Sequence, residues 1–273
     1  MPDRLNRAED PLAAGPAALT DFLNKLGDAS RYIAKMHFRK PVHAQRKADN
    51  TPVTIADREA EQALRRLIED RFPTHSIRGE EFGAVDRESE WAWFIDPIDG
   101  TKSFMTGKPT FGTVIGLLRQ GAPVAGIIDM PALDERWLGI VGQASTFDGE
   151  PCHSNGNQQL TDAVLYATTI DMFDAAERRC FDAVTERVWF RAFGADCYAY
   201  GLLASGHVDI VMEAAMSPYD YLGLLPVITG AGGAVSDWNG APLHAGSGGR
   251  VLACASAALH EQVLAVIART GSG

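Results

Sequence analysis

Four short apolar runs follow one another in the middle of the chain: WAWFI (91–95), FGTVIGLL (111–118), VAGIID (124–129) and RWLGIV (136–141). Each is β-branched or aromatic, and Gly and Pro turns separate it from the next, so the segment reads as a strand meander. Upstream the period is different. Leu19, Phe22, Leu23, Leu26, Ile33 and Met36 recur at helical spacing and predict an amphipathic helix ending before Pro41. Ala60, Leu64, Leu67, Ile68 and Phe72 form the stripe of a second helix, closed by Pro73, with the polar stretch KADNTPVT between the two.

From about residue 150 the pattern alternates. Strand-like LYATT, VWFRAF, VDIVME and VLACA are interleaved with helical stretches near 174–184, 197–205, 219–230 and 257–269. The organisation expected is a loose leader over 1–16, an α+β sub-domain over 17–150 and an α/β sub-domain over 151–273. No flexible linker divides the last two, so they share one cleft.

At 273 residues and 46% apolar content the chain buries a full core without disulfides or zinc. Cys152, Cys180, Cys197 and Cys254 lack CxxC spacing, and charges at Asp3, Arg4, Arg7, Glu9 and Asp10 occupy the stretch where a secretory signal needs an apolar core. A cytoplasmic protein with reduced thiols is expected. Arg119, Gly121 and Pro123 interrupt the best candidate for a membrane span. A formal charge of −10 repels nucleic acid and anionic membranes, leaving neither as an expected partner. Phosphorylated substrates would be repelled as well, unless bound divalent cations invert the field locally.

The chemistry concentrates in acids. In WFIDPIDGT (93–101) an apolar strand runs into Asp96 and Asp99, three apart across a Pro-constrained turn, so both can face one point and the Ile98 carbonyl can serve as a further hard ligand. Gly100 and Thr101 free backbone amides to cradle a phosphate. The ordinary alternative is a surface turn with two solvated acids. Glu80, in Gly79-Glu80-Glu81, follows a brief strand-like HSIR and by itself reads as loop charge. Asp57 and Asp220, each at a helix start, read singly as residues favoured by helix-end electrostatics and capping.

The set is more specific than its members. TPVTIAD (51–57), GEE (79–81), WFIDPIDGTKSF (93–104) and PYDYLGLLPVITGAGG (218–233) resemble, in order and spacing, the inositol monophosphatase-like superfamily of metal-dependent phosphatases over nearly the whole chain. That resemblance implies a layered αβαβα sandwich of two intimately packed sub-domains and a Mg²⁺-dependent phosphomonoester hydrolase that needs no covalent phosphoenzyme. It implies that Glu80, Asp96 and the Ile98 carbonyl hold a first ion and that Asp96, Asp99 and Asp220 hold a second, with two or three ions per site. Glu80 and Thr101 would position the attacking water, Asp57 would orient the Thr101 hydroxyl, and a homodimer is implied as well. Haloacid-dehalogenase-type phosphatases also pair aspartates, but with one residue between the acids, whereas Pro97 and Ile98 make two here.

Lys102, the GEEFG stretch and PYDY, with Tyr219 where inositol phosphatases usually carry Trp, look like the histidinol-phosphate phosphatases of that superfamily. Asp196 and Glu213 match substrate-contacting positions. Two carboxylates beyond the metal site suit a cationic amine or imidazolium on the leaving alcohol. Asp196 has a competing reading as the cap of a helix beginning near Cys197. The alternatives are an inositol-1-phosphate or broad-specificity sugar phosphatase and, in another class, an inactive metabolite-binding protein on the same fold. Lys47 is a candidate for phosphate steering, and HAGSGGR (244–250) reads as a flexible connection.

Overall fold

The computed structural model describes residues 10–41, 45–46 and 52–271. Residues 1–9 of the expected leader, and Lys47, lie outside that set. The rest of the leader is less loose than expected, because Pro11 is buried and Leu12 packs against the core.

In chain order, α1 (Pro16–His37) is followed by β1 (Gln45–Arg46), β2 (Pro52–Val53), α2 (Ile55–Arg71), β3 (Ser76–Gly79), β4 (Gly83–Val85), β5 (Trp91–Asp99) and the short α3 (Thr101–Met105). The meander continues as β6 (Gly112–Arg119), β7 (Ala122–Met130) and β8 (Glu135–Ile140), with β9 (Thr146–Phe147) and β10 (Glu150–Pro151) at its end. Then come β11 (Val164–Ala167), α4 (Ala175–Thr185), β12 (Phe190–Phe193), α5 (Tyr198–Ala204), β13 (Ile210–Glu213), α6 (Pro218–Tyr221), α7 (Leu224–Gly230), β14 (Ala234–Ser236), β15 (Val251–Cys254) and α8 (Ala257–Gly271).

Two sheets carry the architecture. The larger has the order β10-β9-β8-β7-β6-β5-β3-β4 and is antiparallel throughout except where β3 runs parallel to β5. The smaller has the order β12-β11-β13-β15-β14; its first three strands are parallel, and β15 runs antiparallel to both neighbours. Strand β14 has no counterpart in the sequence-based expectation, being only three residues long.

Strand periodicity sorts the core into layers. On one face of the large sheet, Trp93, Ile95, Ile115, Leu117 and Ile127 meet Leu19, Leu23 and Leu26 of α1 and Leu64 and Ile68 of α2. On the other, Phe94, Val114, Ile128 and Trp137 meet α5 and α7 through Tyr200, Leu203, Leu224 and Val227, which also touch the small sheet at Val211 and Ala253. The far face of the small sheet packs Leu165, Ile210 and Leu252 under Phe181 of α4 and Leu259 and Val263 of α8. The result is the αβαβα sandwich. Trp93 and Trp137, fully buried on opposite faces of one sheet, each cost about 3–5 kcal/mol if cut to Ala. Among the described residues no helix is long and apolar enough to cross a membrane.

One close approach fixes the middle layer. Gly116, Gly126 and Gly139 stand side by side across β6, β7 and β8. A Cβ at Gly116 would lie 2.8 Å from the Gly223 nitrogen, at Gly126 1.8 Å from the Gly223 oxygen, and at Gly139 2.4 Å from the Pro226 carbonyl. The chain from 223 to 226 therefore lies directly on the sheet, backbone on backbone, and the helical stretch predicted over 219–230 is divided there into α6 and α7. The 244–250 loop is tied down as well: the Met216 N–H donates to the Gly249 carbonyl (3.1 Å), and the Tyr221 hydroxyl to the His244 carbonyl (2.7 Å).

Candidate active site

Strand β5 keeps register with β6 through Asp96↔Val114 and resumes at Asp99↔Gly112, so Pro97 and Ile98 form an irregularity between them. Pro97 has no N–H to lose to the ladder, which suits it to that position. Its carbonyl turns inward and accepts from Thr113 Oγ1 (2.8 Å), while the Ile98 N–H donates to Asp96 Oδ1 (3.0 Å). The Ile98 side chain is buried with Ala34, Ala56, Phe104 and Phe111. An apolar anchor thus holds a turn whose polar atoms stay at the strand end. Gly100 follows at φ 82, the left-handed region that favours glycine, and opens α3.

Helix α2 brings Asp57 to the same place. Its start is a capping box in which the Thr54 N–H donates to Asp57 Oδ2 (2.8 Å). The other oxygen, Oδ1, lies 3.3 Å from Thr101 Oγ1, which is also 3.2 Å from the Ile98 carbonyl. Asp57 is fully buried, and burial first, with Glu80 adding to it, raises its pKa against the lowering hydrogen bonds from Thr54. Glu80 follows β3, and its N–H donates to the Ile95 carbonyl (3.2 Å), one residue before Asp96.

Asp220 sits on α6, and the Ser217 N–H donates to its Oδ2 (2.7 Å). Asp99 Oδ2 accepts the Cys197 N–H at 2.5 Å. This overturns the capping reading of Asp196: the start of α5 is held by Asp99, and Asp196, at φ 51, turns its carboxylate away to accept from Ser103 Oγ (2.6 Å). It lies over Gly100, where an added Cβ would stand 2.8 Å from Asp196 Cγ and Oδ2. Glu213 is buried, with Oε1 accepting the Thr168 N–H (2.8 Å) and Oε2 the Tyr200 hydroxyl (2.9 Å). Its carboxyl is held in place deeper than that of Asp196, and burial raises its pKa against the hydrogen bonds from Thr168 and Tyr200.

These acids feel one another. Burial raises Asp96 well above the usual carboxylate range, with Glu80, Asp99 and Asp220 adding to it. Asp99 is raised likewise by burial, then by Asp196 and Asp220. Asp220, partly open to the cleft, is pushed up to about 7 by burial first and by Glu80 and Glu213 among its neighbours, against the Ser217 N–H. For Asp196, burial raises the pKa, while Ser103, Lys108 and Lys102 lower it. Among the described residues no trio of His, Cys, Asp or Glu is closed into a formed metal site. The carboxylates stand as neighbours within electrostatic range. Hard oxygen donors gathered at this cost fit a divalent cation, whose charge removes the repulsion.

Asp57, Glu80, Asp96, Ile98, Asp99, Thr101 and Asp220 therefore come from four elements and the turns beside them to one neighbourhood, with Asp196 and Glu213 on its other side. Glu61 was not singled out from the sequence. It is fully buried on α2, one turn after Asp57 on the stripe of Ala60, Leu64 and Ile68, a signal that an acid there faces inward. A groove of about 750 Å³ between α4 and α8 is lined by none of these acids.

Comparison with known proteins places the chain in a family. The model described as "Inositol monophosphatase family" matches residues 16–271. The chloroplastic bifunctional phosphatase IMPL2 of Arabidopsis thaliana is 45% identical over 219 residues, 80% of this chain; the match spans 63% of the plant protein's length. A histidinol-phosphatase of Mycobacterium tuberculosis is 34% identical over 227 residues, covering 80% of this chain and 85% of its own. The solved inositol monophosphatase of Zymomonas mobilis is similar at 38% identity and a TM-score of 0.83, with 91% of this chain and 96% of that one covered.

Proposed function

The chain belongs to the inositol monophosphatase family and is a phosphatase, and on that premise we propose that it hydrolyses L-histidinol phosphate to L-histidinol and phosphate with Mg²⁺. The observation that carries the substrate is Asp196. Its carboxylate is spared from capping, lies against Gly100 and is held by Ser103, so a negative charge faces the region where the leaving alcohol of a phosphate ester would sit. A cationic amine on that alcohol gains from it, and a neutral polyol does not. The fixed carboxylate of Glu213 adds to the same field.

In this reading Glu80, Asp96, the Ile98 carbonyl, Asp99 and Asp220 would hold two or three Mg²⁺ ions, which would supply positive charge at the phosphoryl group and lower the pKa of water beside it. The chain's own residues do the rest. The Thr101 hydroxyl donates its hydrogen bond to Asp57, leaving its oxygen to accept one hydrogen bond from the incoming water, and Glu80 accepts the second. The water is thereby oriented for in-line attack. The amides of Gly100 and Thr101 receive the phosphate oxygens. A homodimer belongs to the same proposal, supported by Trp189, just before β12, and Phe190 and Phe193 on that edge strand, which are 72%, 45% and 42% exposed. So do a cytoplasmic location and a place in histidine biosynthesis.

The test is phosphate release from L-histidinol phosphate, inositol-1-phosphate and fructose 1,6-bisphosphate, with Mg²⁺ and then with chelator. Histidinol phosphate is expected to have the highest kcat/KM, and chelation to abolish release. A far higher value for inositol-1-phosphate would overturn the substrate assignment. No release from any ester with Mg²⁺ would favour the inactive binding protein.

A further inference from the structure

We propose that Glu61 is the positioning residue for Glu80, and that through it helix α2 sets both the Thr101 hydroxyl and the Glu80 carboxylate. The inference rests on the reading of Glu80 as a Mg²⁺ ligand. Strands β3 and β4 pair Gly79 with Gly83, leaving Glu80, Glu81 and Phe82 as the turn between them. The N–H of Glu80 is tied to Ile95 of β5. The next two amides point the other way, into α2: Glu81 N–H donates to Glu61 Oε2 (2.6 Å) and Phe82 N–H to Glu61 Oε1 (3.2 Å).

Glu61 is itself fixed. Arg65, one helical turn on, donates from Nε to Glu61 Oε1 (2.7 Å) and from Nη2 to the carbonyl of Gly83, so the ion pair bridges the turn and the strand after it. A bare carboxylate with three N–H donors is a strong clamp, since charge-assisted hydrogen bonds are the firmer ones. There is room for it only because residue 79 has no side chain: a Cβ there would lie 2.1 Å from Glu61 Oε1. Glu61 and Asp57 are four residues apart on one face of α2, and Asp57 reaches Thr101 from the same buried stripe. A single rigid helix therefore presents two carboxylates to two different parts of the site. One holds a hydroxyl, and the other holds the backbone that carries Glu80.

Purified full-length variants titrated calorimetrically with Mn²⁺, alongside thermal melts in chelator, test this. E61Q keeps the shape but loses the charge, and is expected to weaken Mn²⁺ binding by about tenfold, the effect typical of losing a residue that orients a metal ligand. G79A drives a methyl into the carboxylate and is expected to do the same with a lower melting point. The double variant E61A/G79A puts that methyl into the space Glu61 leaves, so it should recover much of the melting point of G79A while Mn²⁺ binding stays weak. A merely structural role would move the two readouts together. Mn²⁺ binding within twofold of wild type in E61Q or in the double variant, whichever folds, overturns the inference. E80Q is the control: if it too binds Mn²⁺ normally, the reading of Glu80 as a ligand falls and the inference with it; if E80Q binds weakly and E61Q normally, only the positioning role falls.

Discussion

Replacing Gly100 by Ala tests the turn that joins Asp99 to Thr101, and its cost can be worked from two independent features. The first is backbone: φ is 82 at this position, and an L-residue held in the left-handed region loses about 1–2 kcal/mol. The second is contact: the new methyl would lie 2.8 Å from the Asp196 carboxylate, which is hydrogen-bonded to Ser103. Displacing that carboxylate forfeits a partly buried hydrogen bond of about 1–2 kcal/mol. A loss of about 2–4 kcal/mol follows, and at about 2–4 °C per kcal/mol for a chain of this size the melting point should fall by about 5–15 °C. Differential scanning calorimetry in chelator measures it. In parallel, release of phosphate from p-nitrophenyl phosphate at saturating Mg²⁺ should drop about 100-fold, because Asp99 and Thr101 move with the turn. Adding D196A forfeits the same Ser103 hydrogen bond, so the two changes overlap and the double variant should melt close to G100A rather than lower by the whole cost of D196A. A G100A protein that melts within 2 °C of wild type, or a double variant less stable than G100A by the full cost of D196A alone, would refute the reasoning.

Two further outcomes follow from the same structure. D220N keeps an oxygen for the Ser217 N–H while removing a like charge from beside Glu80; discounted for the opening of Asp220 to the cleft, the metal-free protein should gain about 1–2 kcal/mol, lose its Mg²⁺-dependent rise in melting point and turn over orders of magnitude more slowly. A lower metal-free melting point than wild type would contradict the repulsion described above. W189E, at the exposed residue just before β12, should convert the proposed dimer to a monomer in sedimentation equilibrium without changing the far-ultraviolet circular dichroism, and an unchanged mass would remove that surface from the proposed interface.

The meander, the two leading helices and the acid-bearing strand end were legible because each is written as a local period or a local clash of chemistries. An apolar strand that ends in Asp96 and Asp99 is conspicuous in one dimension. Asp196 was half legible. Its position before a helix fits a cap, and only the fold reveals that Asp99, 98 residues away in sequence, already accepts the Cys197 N–H. Glu61 carried one signal, its place on the apolar stripe of Ala60, Leu64 and Ile68, but a glutamate followed four residues later by an arginine also looks like an ordinary surface ion pair. Its partners are backbone amides of a turn, which leave no mark in sequence. The contact of Gly116, Gly126 and Gly139 depends on register across three strands, and their unequal spacing gives no period to read. Strand β14 is too short to carry a pattern at all.

That glycine contact separates what can drift from what cannot. Ordinary layers rest on side chains, so each change of core volume is felt as a shift of one layer over the next. At the three glycines the sheet presents no side chain to the backbone of Gly223 and Pro226, so the spacing at those points is set by peptide groups in contact. Asp220, three residues before that contact, is therefore gauged against β5 by covalent geometry. Selection can exchange rim groups such as Asp196 while the depth at which the acids meet stays the same.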